Sequence, residues 1–160
     1  MPHIHEKIDF IVNAFIVYQD KLLLIDHKKL RTWLPVGGHI ELDEDPEEAL
    51  RREVKEECGL EVKIIGTKPK LKGTERFIYK PLFVPSYMDI HNYDEKHRHI
   101  GLHYFAIAKT DKVKLAESEH NEIRWFSKKD IGDPKWQIIP AVQFYAREAL
   151  KAASRASTSR

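Results

Sequence analysis

The sequence predicts an α/β fold on three observations. Short segments rich in β-branched and aromatic residues fill its middle, and helix-forming segments with recognisable start signals flank them. The length of 160 residues suits one domain with a real core and is too short for two of typical size.

Residues 8 to 18 (IDFIVNAFIVY) read as a strand, and after a Gln19-Asp20 turn KLLLID resumes the pattern as the second arm of a hairpin-like pair. Trp33-Leu34-Pro35-Val36-Gly37-Gly38 is expected to break regular structure, because proline lacks a donor and paired glycines permit backbone angles that other residues avoid. A loop that approaches a ligand closely needs this freedom. Asp45 and Pro46 open a helix as N-cap and first helical position, Glu47 and Glu48 suit the positive end of its dipole, and Gly59 closes it. Residues 61 to 67, 77 to 83 and 99 to 109 then read as strands, and Ile123-Arg124-Trp125-Phe126 as a shorter one. Between them, the polar, histidine-containing stretch from 85 to 98 is expected to be a long surface loop over a site. Ser127 caps a short turn through Asp130, and Pro140 starts a helix with Ala141, Phe144, Tyr145 and Ala149 roughly on one face. The last residues, KAASRASTSR, are small, polar and basic, which predicts a frayed helix passing into disorder. The domain is therefore expected over residues 1 to 152, with a disordered tail from 153 to 160.

An apolar content of 42% beside 32% charged residues is that of an ordinary soluble protein, and no apolar run approaches the roughly 18 residues of a membrane span. The opening MPHIHEKIDF has no basic segment followed by an apolar one, so no secretory signal is expected. Cys58, the sole cysteine, has no internal disulfide partner, which fits a reducing cytoplasm. A net charge of +2, from 27 basic and 25 acidic residues, supplies no general field for nucleic acid or membrane. Partners must therefore be sought in local sites; a homodimer is compatible with this composition.

On a helical wheel Leu50, Val54 and Cys58 form an apolar stripe, and Glu53, Glu56 and Glu57 form a second stripe beside it. Like charges at this spacing cost a helix a few tenths of a kcal/mol per pair, roughly, unless a cation intervenes. Carboxylate oxygens favour hard ions, so Mg²⁺ is the natural candidate and Mn²⁺ a substitute. Such an ion suits phosphoryl chemistry, where it neutralises the oxygens that shield phosphorus and activates water. Taken alone, the helix is more readily a solvated acidic face.

The wider spacing narrows the choice. Gly38 is followed after five residues by Glu44, and after seven more by Arg52-Glu53-Val54-Lys55-Glu56-Glu57-Cys58-Gly59-Leu60, with Pro35 and Gly37 just upstream. This pattern resembles the signature of the Nudix hydrolases, and it covers residues 38 to 60. The resemblance implies an α/β/α sandwich around a central mixed sheet, with Glu53 and Glu57 as principal metal ligands. It makes Glu56 a further or water-mediated ligand and lets a carbonyl of the Gly37-Gly38 turn complete the shell. Arg52 and Glu44 match positions that orient the catalytic glutamate by ion pairing. The general base varies in the family; Glu119, near Glu117 and Glu122, is the candidate here, against its reading as a solvated loop glutamate. His39-Ile40-Glu41-Leu42-Asp43 stands where many members have a small-residue turn, so the loop's shape is left open.

The activity implied is Mg²⁺-dependent cleavage, by metal-activated water, of the diphosphate linkage of a nucleoside diphosphate derivative, either a triphosphate or a nucleotide conjugate. The alternative is a Nudix-fold module that senses a nucleotide or binds a protein without turnover. An isoprenoid diphosphate isomerase of the same fold would need a reactive cysteine upstream of the helix, whereas Cys58 lies on its packed face. ADP-ribose hydrolases of the family often carry a proline about sixteen residues past the box, where this chain has Thr74-Glu75-Arg76. Tyr79 lies near a tyrosine of the dinucleoside polyphosphate hydrolases. Trp33, Phe77 and Tyr79 could stack on a base, with core packing as the competing reading of each. His91, His97, His99 and His103 stand out among nine histidines, and on a strand residues 97, 99 and 103 share a face. They are readable as ordinary histidines, as substrate contacts or as a second metal site.

Overall fold

Alternation along the two longest strands decides the architecture. A computed structural model describes residues 4 to 158. Along β1 (Ile8–Tyr18), Val12, Ala14 and Ile16 enter one hydrophobic cluster while Phe15 and Val17 enter another. β7 (Arg98–Ala108) divides in the same way, with Leu102, Tyr104 and Ala106 on the first side and Phe105 on the second. A sheet buried on both faces needs a helical layer on each. The first is α1 (Pro46–Cys58), which contributes Ala49, Leu50, Val54 and Cys58. The second consists of α2 (Lys128–Gly132) and α3 (Pro140–Thr158), which contribute Ile131, Val142, Ala146, Ala149 and Ala153. The result is the α/β/α sandwich.

The described residues form one eight-stranded mixed sheet. β1 runs parallel to β7, and its other partners, β2 (Lys21–His27) and β4 (Val36–His39), are antiparallel to it. β3 (Thr32–Leu34) and β8 (His120–Ser127) pair with β2, while β5 (Val62–Ile65) and β6 (Tyr87–Asn92) pair with β7, all antiparallel. A 3₁₀ turn at Pro134–Trp136 links α2 to α3. No helix among the described residues is long and apolar enough to cross a membrane.

The start and stop of α1 follow from its sequence. The Asp45 side chain accepts from the Glu47 and Glu48 N–H groups, the Glu48 side chain accepts from the Asp45 N–H, and Gly59 takes the left-handed conformation, φ 70°, that ends the helix. Ser127 caps α2 by the same reciprocal arrangement with Asp130.

Four expectations need correction. Residues 33 to 38 are not a loop: β3 and β4 occupy them, and the paired glycines lie in an extended strand beside β1. Residues 77 to 83 form no strand. The Phe83 N–H donates to Glu47 at 2.7 Å and Lys80 pairs with Asp45 and Glu48, so the acidic start of α1 holds this segment in place of a neighbouring strand. Residues 85 to 98 contain β6, an exposed edge strand whose polar composition conceals it because only its inner side, through Tyr87 on Phe105, packs. The tail expected from residue 153 is helical as far as Thr158, because Ala153 is buried on the sheet; residues 159 and 160 of that tail, and 1 to 3 of the expected domain, lie outside the described residues.

Leu50 is fully buried between α1 and the sheet, whereas Leu42 is 85% exposed. Leu50→Ala is expected to lower stability by about 2–5 kcal/mol, and Leu42→Ala to stay within about 0.5 kcal/mol, in urea unfolding of both variants.

Candidate active site

The site is built where β4 meets α1. A Cβ on Gly38 would run into the Glu53 carboxylate, and one on Gly37 into the Val12 carbonyl and the Asn13 side chain. Glycine is needed here for close approach and not for an unusual backbone angle. The Gly37 N–H donates to Glu57 Oε2 at 2.9 Å. Arg52 lies across the same junction: its Nε and Nη2 donate to the two oxygens of Glu44 at 2.6 and 2.9 Å, its Nη1 to Glu53 Oε1 at 2.7 Å, and its Nη2 to the His39 carbonyl at 3.0 Å. The single acidic stripe of the wheel thus divides. Glu53 and Glu57 are buried, while the Glu56 side chain is 61% exposed and reaches Arg52 only at 3.4 Å.

Burial pushes the Glu53 carboxyl up to about 7; Arg52 opposes this, and the neighbouring Glu57 and Glu56 reinforce it. The hydrogen bond from Arg52 holds Glu44 below the usual carboxylate range. Glu57 has a further partner in the buried His120, whose Nε2 lies 2.8 Å from Glu57 Oε1. Glu119 is exposed, yet its carboxylate, Glu57 and His120 offer ligand atoms that all lie within 4.8 Å of one another. Buried carboxylates a helical turn apart, one of them held near neutrality by desolvation, form a donor set suited to a hard divalent cation. The chemistry of these residues fits the metal implied by the box.

Glu53, Glu57, Gly37 and Gly38 open onto a cavity of about 560 Å³. Across it stands a polar network that sequence reading did not assemble. Asp89 on β6 accepts from the Tyr145 hydroxyl at 2.6 Å and pairs with His103 Nε2 at 2.9 Å and His91 Nδ1 at 2.8 Å. Burial would raise the Asp89 carboxyl, but bonds from Tyr145, His91 and His103 outweigh it and hold the group low. His103 is pushed down by burial, with Asp89 acting against the shift, and its Nδ1 lies 3.3 Å from the Asn13 amide. A neutral His103 therefore donates from Nε2 to Asp89 and accepts at Nδ1 from Asn13. Asn13 came from a run read only as strand, and Tyr145 from a helix face. Neither offered a signal before β1, β7 and α3 were placed together.

Two expected substrate contacts lie elsewhere. Trp33 is buried against Phe126 and Trp136, with ring centroids 4.9 and 5.8 Å away, and belongs to the core beneath α3. Tyr79 is exposed in the segment between β5 and β6 and does not line the cavity. The Cys58 thiol donates to the Val54 carbonyl at 3.1 Å, and burial pushes it up to about 11, so it remains a packed, protonated group.

This fold recurs in known proteins. The profile of the NUDIX domain matches residues 9–147, and the chain belongs to the Nudix family. It is thus a Nudix hydrolase, with the glutamates of the signature intact. A solved NUDIX-family hydrolase from Clostridium perfringens is 32% identical, with a TM-score of 0.75 over 89% of this chain and 96% of that one. An Ap4A hydrolase of C. elegans, solved as a binary complex, shares the fold at 17% identity and a TM-score of 0.65, over 95% of this chain and 99% of that one. A probable DHNTP pyrophosphohydrolase of Lactococcus lactis subsp. cremoris is 27% identical over 114 residues, which span 71% of this chain and 63% of that relative.

Glu53 holds a proton in the folded state, up to about pH 7, that it releases in the unfolded state above 4.5. Between these values the folded chain binds more protons, so this group makes metal-free stability fall as pH rises. His27 and His103, both lowered by burial, act with the opposite sign. The difference between wild type and Glu53→Gln isolates the glutamate: urea midpoints taken in chelator are expected to favour the variant increasingly from about pH 4.5 to about pH 7 and to show a constant offset above.

Proposed function

We propose that this chain is a Mg²⁺-dependent pyrophosphohydrolase that cleaves the diphosphate linkage of a nucleoside diphosphate derivative with water. The observation that carries the reading is the pair of buried carboxylates, Glu53 and Glu57, set against the Gly37-Gly38 backbone and open to the cavity. These two carboxylates and the Gly37 carbonyl would hold the ion, with Mn²⁺ able to replace Mg²⁺ and Glu56 contributing from the rim. When bound, the ion supplies charge neutralisation at phosphate oxygens and a lowered pKa for water.

The remaining work falls to side chains of this chain. Arg52, fixed by both oxygens of Glu44, aims Glu53 and limits its rotation; the Gly37 N–H and His120 do the same for Glu57 from either side. Glu119, exposed beside Glu57 and His120, is placed to accept a proton from the attacking water. Asn13, His103 and Tyr145 offer a polar wall, and Phe15 an apolar one, to the group carried by the diphosphate. A cavity of about 560 Å³ is of the size that takes a small-molecule ligand of this class. The similarity to a probable DHNTP pyrophosphohydrolase supports a phosphoanhydride substrate. The buried thiol of Cys58 fits a reducing, cytoplasmic setting.

A panel of canonical and oxidised nucleotides, nucleotide sugars, ADP-ribose and dinucleoside polyphosphates is expected to yield at least one substrate turned over with Mg²⁺. On that substrate, Arg52→Ala and His120→Ala are expected to lose about 10–100-fold, Glu53→Gln and Glu57→Gln more than that, and Glu56→Gln less than either. Unchanged rates in Glu53→Gln and Glu57→Gln would remove the assignment. Tight binding without turnover across the panel would establish instead a sensing module.

A further inference from the structure

Three histidines and an aspartate outside the diphosphate site converge at the N-terminal end of β1. Asp9, His39, His97 and His99 are all buried, and one ligand atom from each lies within 4.8 Å of the others. Strand register brings them together. In the parallel pair, Asp9 stands opposite His99; on the other side of β1, His39 stands opposite Ile11, which shares the face of Asp9 by the two-residue repeat. His97 precedes His99 by two residues and is directed to the same side, with its ring centroid 5.1 Å from that of His99. His91 and His103, singled out with them in the sequence, serve the Asp89 network instead.

Two of the six ligand-to-ligand distances already match a coordination shell, and the rest lie within 4.8 Å. Nε2 of His39 and Nε2 of His97 each lie 3.3 Å from Asp9 Oδ2. Ligand atoms about 2.0–2.1 Å from a tetrahedral ion stand about 3.3–3.4 Å apart. The outer contacts are also suited to metal binding. His97 Nδ1 lies 3.2 Å from the Glu6 carbonyl, an atom that only accepts, so Nδ1 carries the hydrogen. Nε2 is then the ring atom turned toward the Asp9 carboxylate, 3.3 Å away, and a cation bound between the two would take both as ligands. The Asp9 oxygens are oriented by the N–H groups of His5, at 2.7 Å, and Ile4, at 3.1 Å.

We propose that Asp9, His39, His97 and His99 bind a four-coordinate transition-metal ion of the Zn²⁺ type, distinct from the carboxylate site and structural in role. Three imidazoles and one carboxylate suit Zn²⁺ and not Mg²⁺. Four protein ligands close the shell, so the ion carries no reactive water and acts as a clip. It joins the start of β1, the end of β4 and the start of β7, and through His39 it steadies Gly38 against Glu53. His39 and His99 also lie on the cavity wall, which gives the ion a way in.

The test uses the full chain loaded with Zn²⁺ alone and then dialysed against excess Mg²⁺. Zinc analysis is expected to give about one ion per chain in wild type and in the Glu53→Gln/Glu57→Gln double variant, and at least about 10-fold less in His97→Ala and His99→Ala. Zn²⁺ is also expected to raise the melting temperature of wild type but not of the histidine variants. Loss of zinc from the double variant with retention by the histidine variants overturns the proposal, as does absence of retained zinc, which would mean that protons alone pair the imidazoles with Asp9. Should the histidine variants not fold, Co²⁺ in wild type decides: intense visible bands of a tetrahedral site are expected, and a weak octahedral spectrum overturns it. These readouts are independent of hydrolysis, so failure of the diphosphate reading leaves them intact.

Discussion

The contact between β4 and α1 is the constraint on which the rest of the site depends. Without side chains at Gly37 and Gly38, the strand backbone reaches the carboxylates of the helix, and the Gly37 N–H bonds Glu57 directly. That closeness removes Glu53 from water, which raises its pKa toward neutrality and makes its ionised form costly. Arg52 limits the cost without cancelling it, because its guanidinium is shared between Glu53 and both oxygens of Glu44. A site with excess negative charge, held short of compensation, favours a cation. The apolar stripe of Leu50, Val54 and Cys58 provides the fixed surface that holds this arrangement in place.

β1 distributes this constraint through the fold. Its inward residues on one face carry the packing of α1, and Phe15 and Val17 on the other carry that of α3. At its N-terminal end the same alternation directs Asp9 toward His39 and His99, and farther along it sets Asn13 between Gly37 and His103. One central strand, parallel to β7 and antiparallel to β4, therefore brings residues distant in sequence to the cavity wall. A one-residue slip would turn Asp9, Asn13 and Phe15 to the opposite face.

Legibility followed the range of the interactions involved. β1, β2, β7, α1 and the cap at Ser127 were readable because periodicity and capping act over a few residues. β6 was not, since a polar edge strand is recognisable only beside its partner, and residues 77 to 83 have the composition of a strand while the acidic turn of α1 claims their polar groups. In the site, the wheel grouped Glu53, Glu56 and Glu57 but could not tell which would be desolvated. For Trp33 and Tyr79 the sequence leaves base stacking and packing open, and burial decides: Trp33 belongs to the core and Tyr79 to the surface.

By itself the sequence determined the capped helix, its two stripes, the glycines before it and hence membership in the family, since all of these lie close to residues 38 to 60 and depend on local spacing. Only the tertiary structure decided that Glu56 stays at the rim, that His120 supports Glu57, that Asn13, Asp89, His103 and Tyr145 form the facing wall, and that Asp9 meets three histidines. The physical reason is common to all four. Burial and hydrogen-bond partnership across elements are set by the register and layering of β1, β2, β4, β6, β7 and β8 with α1 and α3, which no local pattern of residues specifies.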